Sequence, residues 1–303
     1  MSSMLVVGSV ALDTVHNARG THDVVGGSAT FAAFAGSFFT DVQLVGIVGR
    51  DFPDDVIRTM RERGIDTSGL EVADGKTFHW EGRYTDDLTA RETIVTDLNV
   101  FEHFDPKIPP KFAETPFVML GNIAPELQLA VLDQVKGPRL VVADTMNFWI
   151  EGKPDEVAKL LKRVDVLVIN EEEARQLSGR HHLVHVAGEL LDLGPSTVII
   201  KQGEYGAWLF AGDHVFSAPA FLLEAQDPTG AGDSFAGGMM GYLAHDQGGE
   251  PKFDLARLKT ALAHGTVMAS FTIETFSLDR LASLTTKDLG ERFDEFAHML
   301  RVH

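Results

Sequence analysis

Short apolar runs recur along this chain, each followed by a stretch of helical length, and that alternation restricts the possible folds more than any other feature. The runs are Leu5 to Val10, Val42 to Val48, Phe117 to Leu120, Leu140 to Ala143, Val166 to Ile169 and Thr197 to Lys201. They are rich in valine and isoleucine and show little polar alternation, the pattern of strands covered on both faces of a parallel sheet. Helices are expected over Gly27 to Phe39, Pro53 to Arg63, Glu126 to Gln134, Asp155 to Lys162 and Glu171 to Ser178, the second with proline near its first turn. Strand and helix in repeated alternation predict an α/β fold, a doubly wound and mostly parallel sheet flanked by helices. At 303 residues the chain can bury such a sheet, and no linker divides it, so one domain over 1–303 is expected.

Two stretches break the rhythm. Thr77 to Asn99 alternates with a period near two around Asp86-Asp87, which reads as an exposed β-hairpin. A hairpin cannot bury itself, so it is expected to close as a lid over a site or to pack on a second subunit. Ala207 to Ala218 reads as another hairpin, turning at Gly212-Asp213.

Composition narrows the chemistry. There is no cysteine, which excludes disulfides, thiolate nucleophiles and cysteine-bound zinc and fits a reducing cytoplasm. A formal net charge of −18 with no long basic run repels nucleic acid and anionic lipid, leaving a small molecule as the expected partner. The opening MSSMLVVGSVALD has no basic segment, and its apolar run is too short to span a bilayer. A soluble cytoplasmic protein is expected.

The segment DPTGAGDSF, Asp227 to Phe235, carries the clearest chemistry. Gly230, Ala231 and Gly232 have little or no side chain, so their N–H groups can approach a ligand at the start of an apolar helix expected from about Ser234. A phosphate or a developing anion suits that place. Asp233 can cap the helix, or it can take a proton from an alcohol during phosphoryl transfer. In NEEEA, Asn170 and Glu173 can likewise cap a helix or meet magnesium, which takes oxygen ligands and keeps several waters. In KQGEYGA, Gly203 and Gly206 suit either backbone approach to a ligand or a tight turn. RHHLVHVAGE spaces His181, His185 and Glu189 at i, i+4 and i+8. With no second ligand cluster it reads as a surface helix rather than a metal site.

DPTGAGDSFAGGMM resembles, along its whole length, the C-terminal signature of the ribokinase/PfkB family of carbohydrate and nucleoside kinases, and NEEEA and KQGEYGA precede it in the family's order. The resemblance implies a ribokinase-like fold, with a lid formed by about 13–25 and 74–102, and implies ATP and Mg2+ as cofactors. It makes Asp233 the catalytic base and Gly230, Ala231 and Gly232 the anion hole. Asn170 and Glu173 would act on magnesium and phosphate through water. Lys201, Gly203, Gly206 and Thr229 would lie beside the nucleotide, Lys201 standing where many members have threonine. His264 and Met268 fall where the family builds its adenine pocket, although a core-facing helix explains them too. Asp227 would help hold a monovalent cation in members activated by potassium.

On the substrate side, the resemblance maps the closing aspartate of the family's first strand onto Asp13, which would accept two hydroxyl protons. Gly26-Gly27 would approach the substrate, and Asp144 of DTMN would face the same cleft. The lid would supply Trp80, Arg83, Tyr84 and Arg91. Arg83 or Arg91 would reach phosphate or stay solvated; Phe78 or Trp80 would stack on a ring or seal a homodimer. Two positions depart from the sugar kinases: Ala11 and Phe31 stand where many have asparagine. The segment between Asp13 and Gly26 is short, so this part of the lid is expected to be reduced.

The leading expectation is an ATP-dependent kinase transferring the γ-phosphoryl group to a hydroxymethyl group of a sugar or sugar-like alcohol. A nucleoside (adenosine-like) kinase, suggested by Ala11 and Phe31, is the alternative, and a catalytically silent nucleotide or sugar sensor is the alternative of another class. A nicotinamide enzyme is disfavoured, because GSVALD lacks the G-x-G-x-x-G turn.

Overall fold

The structure is a computed structural model that describes residues 3–245 and 254–301. Its strands are β1 (Ser3–Val7), β2 (Ala11–Asn17), β3 (Gly20–Gly26), β4 (Asp41–Gly49), β5 (Ile65–Ala73), β6 (Phe78–Tyr84), β7 (Arg91–Asp97), β8 (Phe117–Leu120), β9 (Leu140–Asp144), β10 (Val166–Asn170), β11 (Thr197–Lys201), β12 (Ala207–Ala211) and β13 (His214–Ala218). The helices are α1 (Ser28–Gly36), α2 (Asp54–Glu62), α3 (Pro125–Leu132), α4 (Asn147–Gly152), α5 (Pro154–Leu161), α6 (Glu171–Ser178), α7 (Leu183–Asp192), α8 (Ala231–His245), α9 (Leu255–Thr272), α10 (Asp279–Ser283) and α11 (Thr286–Met299).

Nine strands form the main sheet in the order β13-β12-β11-β10-β9-β8-β1-β4-β5. All neighbours are parallel except at β11–β12 and β12–β13, which are antiparallel. Successive strand residues point to opposite faces, and the apolar runs exploit this on both sides. Met4 and Val6 of β1, like Val166 and Val168 of β10, enter the core beneath α1, α8 and α9. Leu5 and Val7, like Leu167 and Ile169, enter the core beneath the helices α3 to α7. This two-sided burial is why the strands lack polar alternation. The doubly wound sheet and the 207–218 hairpin are as the sequence predicts.

The amino-terminal region differs from expectation. The first strand ends at Val7, not Val10, because the chain turns away at Gly8, where a Cβ would lie 2.6 Å from Ser28 Oγ. Ser9 and Ser28 hold that turn: each backbone N–H donates to the other's hydroxyl, at 3.2 and 3.0 Å. Asp13 therefore lies in the second strand rather than closing the first. Nor is the segment after it reduced, for β2 and β3 form a full hairpin of two seven-residue strands. β2 pairs in parallel with β6, so the 78–97 hairpin joins a four-stranded sheet, β3-β2-β6-β7, and is not free-standing.

Two helices set the position of the cleft. At Gly237 of α8 an added Cβ would collide with the backbone of Ala32 in α1, and at Gly241 it would come within 2.9 Å of Gly36 Cα. The run GGMMG thus lets α8 lie against α1 at backbone distance, which places the first turn of α8 beside the sheet. Near the far end of α1, Arg63 donates to the carbonyls of Leu281, Ala282 and Leu284 at 2.5, 3.1 and 3.2 Å. No helix of the described residues is long and apolar enough to cross a membrane.

Because Ala32 meets Gly237 through backbone, it cannot swing aside, and overpacking of this kind costs about 1–3 kcal/mol. Gly237→Ala should therefore lower the urea midpoint of unfolding. An unchanged midpoint would contradict the close approach of the two helices.

Candidate active site

The carboxyl ends of β8 to β11 open into a cleft on one side of β1, where the order of the parallel strands reverses direction. Open α/β sheets bind ligands at such a point. Asp144 ends β9, Asn170 ends β10 and Lys201 ends β11. The first turn of α8 and the four-stranded sheet border the same space.

The helix starts three residues earlier than the sequence predicts, at Ala231 instead of Ser234. Gly230 makes this possible: its φ is +76°, and an added Cβ would run into the ring of Phe31. Ser234 N donates to Gly230 O at 2.9 Å as the first helical bond. Ala231 N turns back to Pro228 O at 3.2 Å. Gly232 and Asp233 are the next amides of a turn whose N–H groups have no intrahelical acceptor. Phe31 itself is 1% exposed and packed under Gly230. It props the loop from beneath, which corrects its expected place on a substrate pocket.

Three carboxyls in this region resist ionisation. Burial, followed by the charge of Asp144, pushes Asp233 up to about 7. The same two causes in the same order push Glu173 up to about 7. Burial and then the charges of Asp227 and Asp233 push Asp13 up to about 7. Two cations oppose them. Lys201 Nζ lies 3.5 Å from Asp144 Oδ2. Burial would lower its pKa, but Asp144, Glu173 and Asp233 raise it, so it stays an ammonium. Arg91 of β7 holds Asp13, Glu173 and Asp233 lower than burial alone would. Its guanidinium lies 5.3 Å from the centre of the Trp80 ring. Arg83 is next to Tyr84 on β6 and so faces the other side of that strand.

Asn170 and Glu173 realise the capping alternative. Glu173 N donates to Asn170 Oδ1 at 2.8 Å, and Asn170 N donates to Glu173 Oε2 at 3.2 Å. Glu173 Oε1 and Asn170 Nδ2 take no part in that pair. No group of three or more His, Asp or Glu side chains among the described residues is set to hold a metal. This donor set suits magnesium bound through water and phosphate, since that ion needs one or two carboxylates and keeps its waters. A buried carboxyl with a raised pKa, such as Glu173, is also relieved by a nearby cation.

The remaining expected residues divide. The carboxylate of Asp13 rests on Gly26, where any Cβ would collide with it. Gly27, with φ +97°, lies against the Ser9 carbonyl and starts α1. Thr229 N donates to Asp227 Oδ1 at 2.9 Å, while Asp227 Oδ2 is buried and has no hydrogen-bond partner. Gly203 has open space about its Cα; Gly206 is pressed on Ala218 and Pro219, so its form serves the hairpin and not a ligand. Met268 is fully buried at the α8–α9 contact, a core residue rather than a pocket wall. His264 is stacked on Phe293 at 3.9 Å and Tyr242 at 4.4 Å, and burial lowers its pKa to about 4. Both residues thus follow the core-facing alternative. His181 precedes α7, and Glu189 accepts from Arg180 Nε at 2.9 Å, so that trio does not share one helical face.

One residue had escaped notice. Gln128 is buried, and its amide donates to the carbonyls of Gly121 and Asp144, both at 2.9 Å, tying the ends of β8 and β9 together. Nothing in the pattern of α3 distinguishes it. Tyr84 is buried at the end of β6, and its phenol accepts from Thr229 Oγ1 at 3.1 Å.

Residues 2–283 match the profile of the pfkB family carbohydrate kinases. A cytidine kinase of Thermococcus kodakarensis is 30% identical over 268 residues, spanning 85% of this chain and 93% of its own. A nucleoside kinase of Methanocaldococcus jannaschii has the same fold, with a TM-score of 0.79 at 21% identity over 97% of this chain and 99% of its own. A Burkholderia thailandensis nucleoside kinase solved with inosine gives 0.78 at 19% identity, over 96% and 97%. This chain belongs to the PfkB family of carbohydrate kinases. It is a phosphotransferase that acts on an alcohol group with ATP as donor.

Asp13, Glu173 and Asp233 bind protons more tightly when folded, near 7 against ordinary values of 3.8 to 4.5. The folded state then holds more protons across that interval, so stability falls as pH rises through it. The melting temperature should be higher at about pH 5.5 than at about pH 8, and Asp13→Asn should narrow the difference. A melting temperature that rises with pH would contradict the buried-carboxyl arrangement.

Proposed function

We propose that this enzyme phosphorylates the hydroxymethyl group of a nucleoside. The chemistry rests on one observation: Asp233 stands in the first turn of α8, beside the Gly232 amide and the Lys201 ammonium. The choice of acceptor rests on the cytidine kinase similarity, which is sustained over most of both chains, and no longer on Ala11, which is fully buried. Phe31 no longer supports it, being buried beneath Gly230. The sugar or sugar-like alcohol acceptor is accordingly the weaker reading, and a silent sensor has no need of the assembled carboxylate and amides.

In the proposed mechanism, Asp13 accepts hydrogen bonds from acceptor hydroxyls through its unpartnered Oδ1. The hydroxymethyl oxygen attacks the γ-phosphorus in line, the bond from that phosphorus to the β-phosphate oxygen breaks, and ADP leaves. Asp233 takes the hydroxyl proton late in the transfer. The first-turn amides of α8 donate to the oxygens on which charge gathers. Glu173 and Asn170 would hold magnesium through water, and when bound that ion neutralises phosphate charge. Asp227, with one buried unpartnered oxygen, would serve a monovalent cation. The sheet β3-β2-β6-β7 acts as the lid, latched to the catalytic loop by the Thr229–Tyr84 bond, and excludes water from the transfer. The outer strand β7, with Ile94 exposed, is where a second subunit would pair.

ADP release across cytidine, uridine, inosine, adenosine, ribose, fructose and myo-inositol, with and without potassium, tests the reading. A nucleoside should give kcat/KM at least about tenfold above any free sugar, the discrimination expected when a site is built around an extra ring. Preference for a free sugar or cyclitol would overturn it.

A further inference from the structure

Lys201 is poorly explained as a structural ion pair. Its side chain is 18% exposed, and its Nζ lies 3.5 Å from Asp144 Oδ2, well beyond the about 2.7–2.9 Å of a formed ammonium–carboxylate hydrogen bond. An ammonium has three N–H donors, and among the described residues Asp144 is the one hydrogen-bond acceptor recorded for it. The amine stands over the first turn of α8: a Cβ on Gly232 would be 2.8 Å from Nζ. Asp144, Glu173 and Asp233 all act on its charge, and of the three only Asp144 makes a hydrogen bond to it, a long one. Threonine at this strand end would be neutral and would stop short of α8. The lysine brings a full positive charge to the place where the backbone amides await an anion.

We propose that Lys201 is a catalytic residue that donates to an equatorial oxygen of the γ-phosphoryl group as it passes over Gly232. The inference rests on the phosphotransfer reading above and adds a charged donor to its amide anion hole. In the resting site the ammonium leans on Asp144. As ATP enters, it shifts towards the γ-phosphate, and Gly232 leaves the space clear. The lysine gives up no proton. The acceptor oxygen bonds to phosphorus, the bond to the β-phosphate oxygen breaks, and the hydroxyl proton goes to Asp233. A second effect follows from the same position. Lys201 opposes the burial that raises Asp233, so its removal makes the base harder to ionise.

The test is Lys201→Met with the nucleoside found to be the best acceptor. Loss of one donor to a developing oxyanion costs about 100- to 1,000-fold in kcat. The expected result is a loss of that size with acceptor KM changed less than about threefold and the acid limb of the kcat profile moved to higher pH. Affinity for ADP should be unchanged, and affinity for a non-hydrolysable ATP analogue weakened. Lys201→Arg should recover part of kcat. If Lys201→Met does not fold, Lys201→Thr, which keeps a small polar group at the strand end, carries the same measurements. Turnover within threefold of wild type, or equal weakening of ADP and the triphosphate analogue, would overturn the proposal while leaving the kinase reading intact. A wild-type enzyme that releases no ADP with any acceptor would overturn both.

Discussion

A single ammonium at the end of β11 lies among the charges of Asp144, Glu173 and Asp233, and the cleft is organised around that imbalance. Carboxylates crowded in a poorly hydrated space raise one another's pKa and repel a polyphosphate. The global charge of −18 makes the problem worse. Three features offset it locally. Lys201 supplies a fixed charge, Arg91 reaches in from β7, and the first turn of α8 presents amides whose partial charge cannot be titrated away. In the proposed mechanism the unfavourable carboxylates have a use, because phosphoryl transfer needs a base that is not already satisfied by solvent and a place where a divalent cation is welcome.

The fold delivers these groups by two contacts remote from the chemistry. β1 and its parallel neighbours bring Asp144, Asn170 and Lys201 to one edge, and Gln128 locks the ends of β8 and β9 in register. On the other side, α8 can lie against α1 only because Gly237 and Gly241 carry no side chain. Phe31, buried in α1, leaves no room for a side chain at Gly230, whose left-handed conformation starts α8 at Ala231. The turn proposed to bind an anion is thus packed directly on the core of α1.

Much of this was legible in the residues themselves. Strands covered on both faces show as unbroken valine and isoleucine runs, so β8 and β11 fall where their sequences predict. Gly212-Asp213 marks its turn by local chemistry alone. Asp233 and its glycines could be located because backbone approach and a carboxylate at a helix start are local requirements. Long-range contacts were not legible. Nothing near Asp13 in sequence says that β2 pairs with β6, with Asp13 beside Trp80, or that the side chains of His16 and Glu81 meet. Nor does AHGTVMASF reveal that α11 brings Phe293 onto His264. Phe31 was misplaced for the same reason, since its partner Gly230 is distant in the chain. Asn170 and Glu173 are ambiguous in principle: one pair of residues caps α6 and still leaves a carboxylate oxygen and an amide outside the cap.

In the proposed mechanism Asp233 takes the acceptor's proton while the surrounding groups bind and orient the phosphates. Single-turnover transfer from ATP by Asp233→Asn, measured beside its affinity for ATP, addresses that most directly. The variant keeps the shape of the first turn of α8 and removes the negative charge, so ATP should bind at least as tightly as to wild type, while transfer falls by at least about 100-fold, the low end of what a positioned base contributes. Transfer at a near-normal rate with ATP bound would contradict the account.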